Sequence, residues 1–435
     1  MYEILTWSYR FVFVPLTVLY VLFSYMAYVK RKKILEGFLP FIIVLISASV
    51  FAVIAFNLEP LDYTAAYIGG AFIISYLLAR FILKKLIKPD NLILFDNINF
   101  LLAIGLGILY RLSPKYGSKQ FIFIIAGYAV LFIVAALMKK IPVSEKSYKV
   151  IGPVILALLV LTQIFGTTIN GSKNWIKISS FVYQPSELLK ILFIFFIACL
   201  LHVELNLKRF AGIMLAVLTT VAFFALQKDL GSALIFFAVF LIMLAAKDEK
   251  LYYTGISAVT AVLGALVSYA AFSHIRSRVL AWADPWKYAS DKSYQITQSL
   301  FAIASGGLLG TGLFSGNPNY IPAIHTDFIF SAICEEMGIL SAISILLVFA
   351  LTIIIGMDIS LHSGNRIYSM VALGLTSVTA VQALVIVCGV LNIIPITGVT
   401  LPFVSYGGSS LISQFINIGL LYFISGQEKS DTYER

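Results

Sequence analysis

Residues Ile321–Leu340 read IPAIHTDFIFSAICEEMGIL, and this stretch decides the fold. It runs into apolar residues as a membrane-spanning helix does, yet it carries Asp327 at its head and Glu335 and Glu336 two turns deeper. A carboxylate at membrane depth costs on the order of 3 kcal/mol. If the stretch spans a bilayer, each acid therefore needs a location or a partner that offsets that cost.

The rest of the chain says that it does span. Of 435 residues 60% are hydrophobic and 12% charged, about half the charge of a soluble domain, and the mean hydropathy is +0.95. Apolar runs of about 20 residues, each long enough to cross a bilayer, recur along the whole length. We expect an all-α polytopic membrane protein of about 13 helices, at 9–29, 38–57, 65–86, 95–112, 120–138, 150–169, 186–205, 210–227, 231–247, 252–273, 327–356, 366–394 and 408–425. Asp96 and Asn97 dilute the start of the fourth. The first run lacks a basic leader and is followed by further spans, unlike a cleaved signal. Cys199, Cys334 and Cys388 lie inside apolar runs, unevenly spaced, and suggest neither a disulfide framework nor a metal site.

Lysine and arginine in the short loops orient the chain. Lys30–Lys33, Arg80, Lys84, Lys85, Lys88, Lys139, Lys140, Lys146, Lys149, Lys208, Arg209, Lys247, Lys250, Arg366, Lys429 and Arg435 fall on one side, which is the cytoplasmic one. Fewer fall on the other: Arg10, Arg111, Lys115, Lys119, Lys173, Lys177, Lys228, Arg276, Arg278, Lys287 and Lys292. The expectation is an N-terminus outside and a C-terminus inside. The long connection 274–326 is then extracellular, and a loop of that length is usually functional. It ends at Asp327, which places that acid at the outer face.

The outer loops carry the candidate chemistry. In SYQITQSLFAIASGGLLGTGLFSG (293–316), Gln295, Gln298 and Ser299 oppose Ile296, Leu300 and Ile303, as in an interfacial or re-entrant helix ended by glycines. A plain amphipathic connector on the headgroups would read the same way. RSRVLAWADPW (276–286) sets Arg276 and Arg278 beside two tryptophans, and cations on a face poor in positive charge suit an anionic ligand such as phosphate. NGSKNWIKISSFVYQPSELLK (170–190) adds Lys173 and Lys177, Pro185 at a first helical turn, and Glu187 with Lys190 on one helix face, either a structural ion pair or a ligand site. LPFVSYGGSS (401–410) offers Ser405 and Ser409 beside small residues that allow close backbone approach, for a ligand or for packing. Asp327 could simply cap its helix, a role worth up to about 1 kcal/mol. Glu335 and Glu336 read as structural groups holding neighbouring helices.

In this order, GSKNWI (171–176), QPSELLK (184–190), DLGSAL (229–234), DPW (284–286), YQITQSL (294–300), GGLLGTGL (306–313), HTDFIFSAICEEMG (325–338), PITGVTLPF (395–403) and SYGGSS (405–410) resemble the SEDS family, the RodA, FtsW and SpoVE proteins. The match runs over about 95–425. The resemblance implies a ten-helix core over 91–426, a three-helix extension over 1–90 and a cytoplasmic tail over 427–435. It also implies a multi-pass enzyme of the bacterial cell membrane that polymerises lipid II into glycan strands on the outer face. Such an enzyme works beside a class B penicillin-binding protein, among membrane lipids and without nucleic acid, in elongation, division or sporulation. The acid in the HTDF motif is the family's essential residue, here Asp327, next to His325. Two departures stand out: Asn174 occupies a position where the family often has Arg, so Lys173 is left to meet a phosphate, and Lys228 replaces the usual Pro before Asp229.

The chemistry is self-consistent. Pyrophosphate is a good leaving group and needs charge neutralisation, while the attacking sugar hydroxyl needs a base. One carboxylate with nearby Arg or Lys, or with a divalent cation (Mg2+ or Mn2+) held by Asp327, is a sufficient set. The expected site is Asp327 as catalytic residue. Lys173, Arg276, Arg278, Gln295, Gln298, Ser405 and Ser409 are expected to bind substrate, supported by Glu187, Lys190, Glu335, Glu336 and His325. The competing readings are a flippase for the lipid-linked precursor, suggested by intramembrane acids and Lys190, and a non-catalytic scaffold of a division complex.

Overall fold

The computed structural model describes residues 2–57, 61–87, 89, 92–141, 143–169, 171–178 and 181–433. Lys88 and Arg435 of the cytoplasmic charge set and Asn170 lie outside the described residues, and nothing is described of the Lys429 side chain. Twelve described helices are long and apolar enough to cross a membrane. A thirteenth, Pro185–Leu201, is apolar and 17 residues long, at the short end of what spans a bilayer. The chain forms two compact units.

The first unit comprises 1–129, 278–355 and 383–407. It contains α1 (Tyr2–Val29), α2 (Lys33–Asn57), α3 (Tyr63–Leu86), α4 (Ile93–Leu112) and the start of α5 (Pro114–Leu137). Its centre is α4, buried at every residue from Ile93 to Tyr110. That burial explains the polar residues near its start. The Asp96 carboxylate accepts from Arg80 Nε (2.9 Å) and Nη2 (3.1 Å) and from the Tyr76 hydroxyl (2.7 Å). Asn97 Oδ1 accepts from the Tyr20 and Ser24 hydroxyls at 2.9 and 2.8 Å, and the Tyr128 hydroxyl donates to Asn99 Oδ1. In hydrocarbon such groups are tolerated only when paired inside the protein. Here the pairing binds α1 and α3 to α4.

The second unit comprises 130–277, 356–382 and 408–435. It holds α6 (Tyr148–Phe165), α7 (Pro185–Leu201), α8 (Leu207–Leu226), α9 (Leu230–Lys247) and α10 (Tyr252–Ala271), most of α14 (Arg366–Val390), and α15 (Gly408–Tyr433). Between α6 and α7 lies an antiparallel sheet absent from the sequence-based expectation: β1 (Thr167–Ile169), β2 (Ser172–Ile178) and β3 (Phe181–Tyr183). The sixth span accordingly stops at Phe165 and not at 169. Its carboxyl end is Gly166, with extended backbone, and the β-branched Thr167, Thr168 and Ile169 continue as strand. Pro185 is the first residue of α7, as expected of a proline there.

The long connection contains two helices, α11 (Ser273–Ala283) and α12 (Tyr294–Gly306), followed by a glycine-bearing loop that leads to α13 (Ile329–His362). The pattern over 293–303 needs one amendment. Ser299 lies on the buried side of α12, its hydroxyl 2.7 Å from that of Ser331 and donating to Val390 O at 3.2 Å, while Gln295 is exposed.

Candidate active site

Helix α13 is broken at Gly338 (φ +84°), and loop 307–312 pairs with the break. Ile339 N and Leu340 N donate to Gly307 O and Leu308 O, and Thr311 N and Gly312 N donate to Glu335 O and Glu336 O. A Cβ on Gly310 would sit 2.4 Å from Glu336 O, and one on Gly338 would sit 2.3 Å from Gly310 N. Only glycine allows backbones to approach so closely.

The side chains of the two deep glutamates tie down the residues that follow this loop. Glu336, fully buried, meets Arg111 Nη2 at 2.6 Å and accepts from Phe314 N at 3.1 Å. Glu335 accepts from Asn317 N at 2.8 Å, and Arg111 Nη2 donates to Gly316 O at 3.2 Å. Their side chains serve loop 314–317.

Asp327 is different. It lies two residues before α13, in a turn where its N–H and that of Thr326 donate to Ala323 O at 3.2 and 3.1 Å. This corrects the expectation that it heads the helix and is exposed to the outer aqueous face. The side chain is half-buried, and burial pushes its carboxyl up to about 6, against the lowering effects of the Thr326 side chain and the Arg278 guanidinium. An acid in that range is mostly ionised at neutral pH and is a stronger base than an ordinary carboxylate.

The turn is held from two sides. Ser405 Oγ donates to Thr326 O at 2.6 Å and accepts from Leu401 N at 2.9 Å, and Tyr406 N donates to His325 O at 2.9 Å. The His325 ring stacks on Tyr116 (4.3 Å, 12°), and burial lowers its imidazole. Gln120 brackets the serine loop, donating to Ser405 O at 3.2 Å and accepting from Gly407 N at 3.4 Å.

Arg278 is locked by its Nη1 donating to Ile396 O at 3.0 Å. Its helix is anchored in turn by Trp282 Nε1, which donates to Asn392 O at 3.1 Å. The point where a Cβ on Gly398 would sit is 3.6 Å from Asp327 Oδ2 and 3.9 Å from Arg278 Nη2. Carboxylate and guanidinium therefore border one spot that has no side chain in it. Beside it, the buried Thr397 hydroxyl has no hydrogen-bond partner among the described residues.

The structure thus brings together Asp327, Arg278, Ser405 and His325. Arg276, in the second unit, donates to Ala270 O at 2.9 Å and lies over the Tyr269 ring. Gln298 is half-buried on α12. In the second unit, Lys190 Nζ pairs with Glu187 at 3.0 Å and donates to Gln382 at 3.3 Å, all three buried. Lys173 and Ser409 are half-buried, and Lys173 N donates to Gln227 O at 2.9 Å. Asn174 Nδ2 donates to Asp229 Oδ2 at 2.6 Å, and Lys228 has φ +59°, a backbone that proline cannot adopt. Gly398, Thr397 and Gln120 did not emerge as site residues from the sequence. PITGVTLPF marks the first two only as motif members, and Gln120 sits in an ordinary apolar span.

Among the described residues, no group of three or more His, Cys, Asp or Glu side chains could hold a metal ion. Asp327 could serve as a single carboxylate ligand to a divalent cation that takes its other ligands from water and substrate phosphates, a usual arrangement for Mg2+.

Fold and site together define a polytopic helical membrane protein with one carboxylate and one guanidinium gathered before its longest span. The family model of the FtsW, RodA and SpoVE cell cycle proteins matches residues 98–430, and the chain belongs to that family. It is 30% identical over 395 residues to the peptidoglycan glycosyltransferase RodA of Mycobacterium tuberculosis, covering 84% of each chain. It is 32% identical over 362 residues to the stage V sporulation protein E of Bacillus subtilis, covering 78% of this chain and 98% of that one. Among solved structures, one of a peptidoglycan synthase complex superposes with a TM-score of 0.66 at 23% identity, over 77% of this chain and 97% of that chain. The Thermus thermophilus rod shape determining protein RodA gives 0.57 at 23% identity, over 77% and 96%.

Proposed function

We propose that this protein is a peptidoglycan glycosyltransferase that polymerises lipid II into glycan strands on the outer face of the cytoplasmic membrane. Membership of the family carries the class of reaction. The observation that carries the site is the spot at Gly398 bordered by the Asp327 carboxylate and the Arg278 guanidinium. In the reaction a sugar hydroxyl of one lipid-linked saccharide attacks the anomeric carbon of another with inversion. Its oxygen forms the new glycosidic bond, the bond from that carbon to the pyrophosphate breaks, and the hydroxyl proton passes to Asp327. Arg278, fixed in place by Ile396 O, neutralises charge on the departing pyrophosphate. Ser405, His325 and Gln120 position the acid. Asp327 would hold a divalent cation, which would supply further charge neutralisation.

The N-terminus lies outside and residues 1–90 form an extension to a ten-helix core over 91–426, with a cytoplasmic tail over 427–435; a match beginning at residue 98 supports that division. A class B penicillin-binding protein is the crosslinking partner, a reading supported by the similar fold found in a peptidoglycan synthase complex.

The test is glycan-strand formation from purified lipid II by a well-folded Asp327→Asn protein. We expect at least about a hundredfold loss of rate with little change in stability. Near-normal polymer would remove Asp327 from the chemistry and revive the flippase and scaffold readings.

A further inference from the structure

Helix α1 lies in the segment before the family match, and one of its faces does not close onto the rest of its unit. Between it and Leu309 and Leu340 runs a groove of about 370 Å³, lined on the α1 side by Arg10, Phe11, Val14, Pro15, Val18, Leu19 and Leu22. Apart from Arg10 the lining is wholly apolar. Phe11, Leu19 and Leu22 stay exposed along its rim, so it opens sideways to the bilayer that surrounds this span.

Arg10 stands at the groove's head. Its Nη1 donates to Gly310 O at 3.1 Å and its guanidinium lies 5.3 Å over the Phe11 ring, and these contacts fix the charge there. From Arg10 to Leu22 the helix rises about 18 Å, a little over half of a hydrocarbon core. A single cation at the interface end of a chain-wide apolar lane complements an amphiphile with one anionic head and one chain running inward. The volume is at the low end of small-ligand pockets, which suits a single acyl chain and not a long polyprenyl tail.

We infer that this groove is a binding site for an anionic glycerophospholipid, its phosphate at Arg10 and one acyl chain along α1 against Leu309 and Leu340. Because Arg10 also holds Gly310, the lipid sits against the glycine loop clamped by Glu335 and Glu336.

The experiment is native mass spectrometry of the purified full-length protein. The probes are dipalmitoyl phosphatidylglycerol, phosphatidylcholine of the same chains, and a long-chain polyprenyl phosphate. We expect one phosphatidylglycerol per chain, retained under detergent conditions that strip phosphatidylcholine. Arg10→Lys should keep it, and Arg10→Gln should reduce occupancy about tenfold. Val18→Trp, which fills the groove from its rim, should do the same with the charge untouched and does not depend on Arg10 variants folding. Equal retention of both phospholipids, or occupancy unmoved by Val18→Trp, would overturn the inference and leave only annular lipid. Displacement of phosphatidylglycerol by the polyprenyl phosphate would overturn the assigned ligand.

Discussion

At the scale of the residue, Asp327 is unusual because it is a half-buried carboxylate in a turn just before a span. Burial raises its carboxyl to about 6, and Arg278 keeps it from rising further. A base must be unprotonated, so the rate should fall as pH drops through about 6, roughly tenfold per unit below it. A pH profile of lipid II polymerisation checks this, and a limb near the ordinary carboxylate value of about 4 would show that Asp327 is not the titrating base. Stability runs by a different rule. The folded state binds this proton more tightly than the unfolded chain, so its contribution is present below about 4 and is lost as pH rises through 6.

Arg278 offers a second prediction at this scale. Its Nη1 is committed to Ile396 O, while its Nη2 borders the Gly398 spot. Arg278→Ala should raise the apparent KM for lipid II about tenfold or more, the loss of one charge-assisted contact worth about 1.5–3 kcal/mol. Arg276→Ala, whose side chain turns back on Ala270 O, should change it little. Steady-state kinetics of the two variants side by side would separate a phosphate contact from a headgroup anchor, since an anchor predicts equal, small effects.

At the scale of the element, the glycine loop and the break in α13 are one construction. Loop 307–312 satisfies backbone groups that the break at Gly338 releases, and Glu336 with Arg111 secures the loop's far end. Glu336→Gln keeps the shape and leaves Arg111 facing a neutral amide. Breaking a buried pair in this way costs about 3–5 kcal/mol. We expect a lower thermal midpoint and a loss of activity that follows the loss of folded protein. A Glu336→Gln protein with wild-type stability and no polymerase activity would instead put the glutamate in the chemistry.

At the scale of the whole molecule, the lysine and arginine distribution makes orientation testable. A cysteine introduced within 312–320 should react with an impermeant thiol reagent added to intact cells, and one within 30–34 should not. The reverse labelling pattern would invert the topology and move the Asp327 site to the cytoplasmic face, where an extracellular polymerase could not operate.

The sequence by itself determined the class, an all-α polytopic membrane protein, because bilayer thickness imposes a length and an apolar composition that a linear pattern records. It also marked Asp327 as a candidate, because an ionisable residue beside a span is costly enough to be conspicuous. The three strands between α6 and α7 escaped it: short extended segments in a polar loop show little period, and the contacts of β2 with Gln227 and Asp229 of the α8–α9 connection join residues far apart in the chain. Which of the basic residues faces Asp327 was equally hidden. Arg276 and Arg278 are two apart and chemically identical, and only the placement of 396–398 against α11 gives one of them the site. Tertiary structure alone also decided the state of Asp327, because its pKa depends on how much water its neighbours exclude, a property of the packed turn and not of any spacing along the chain.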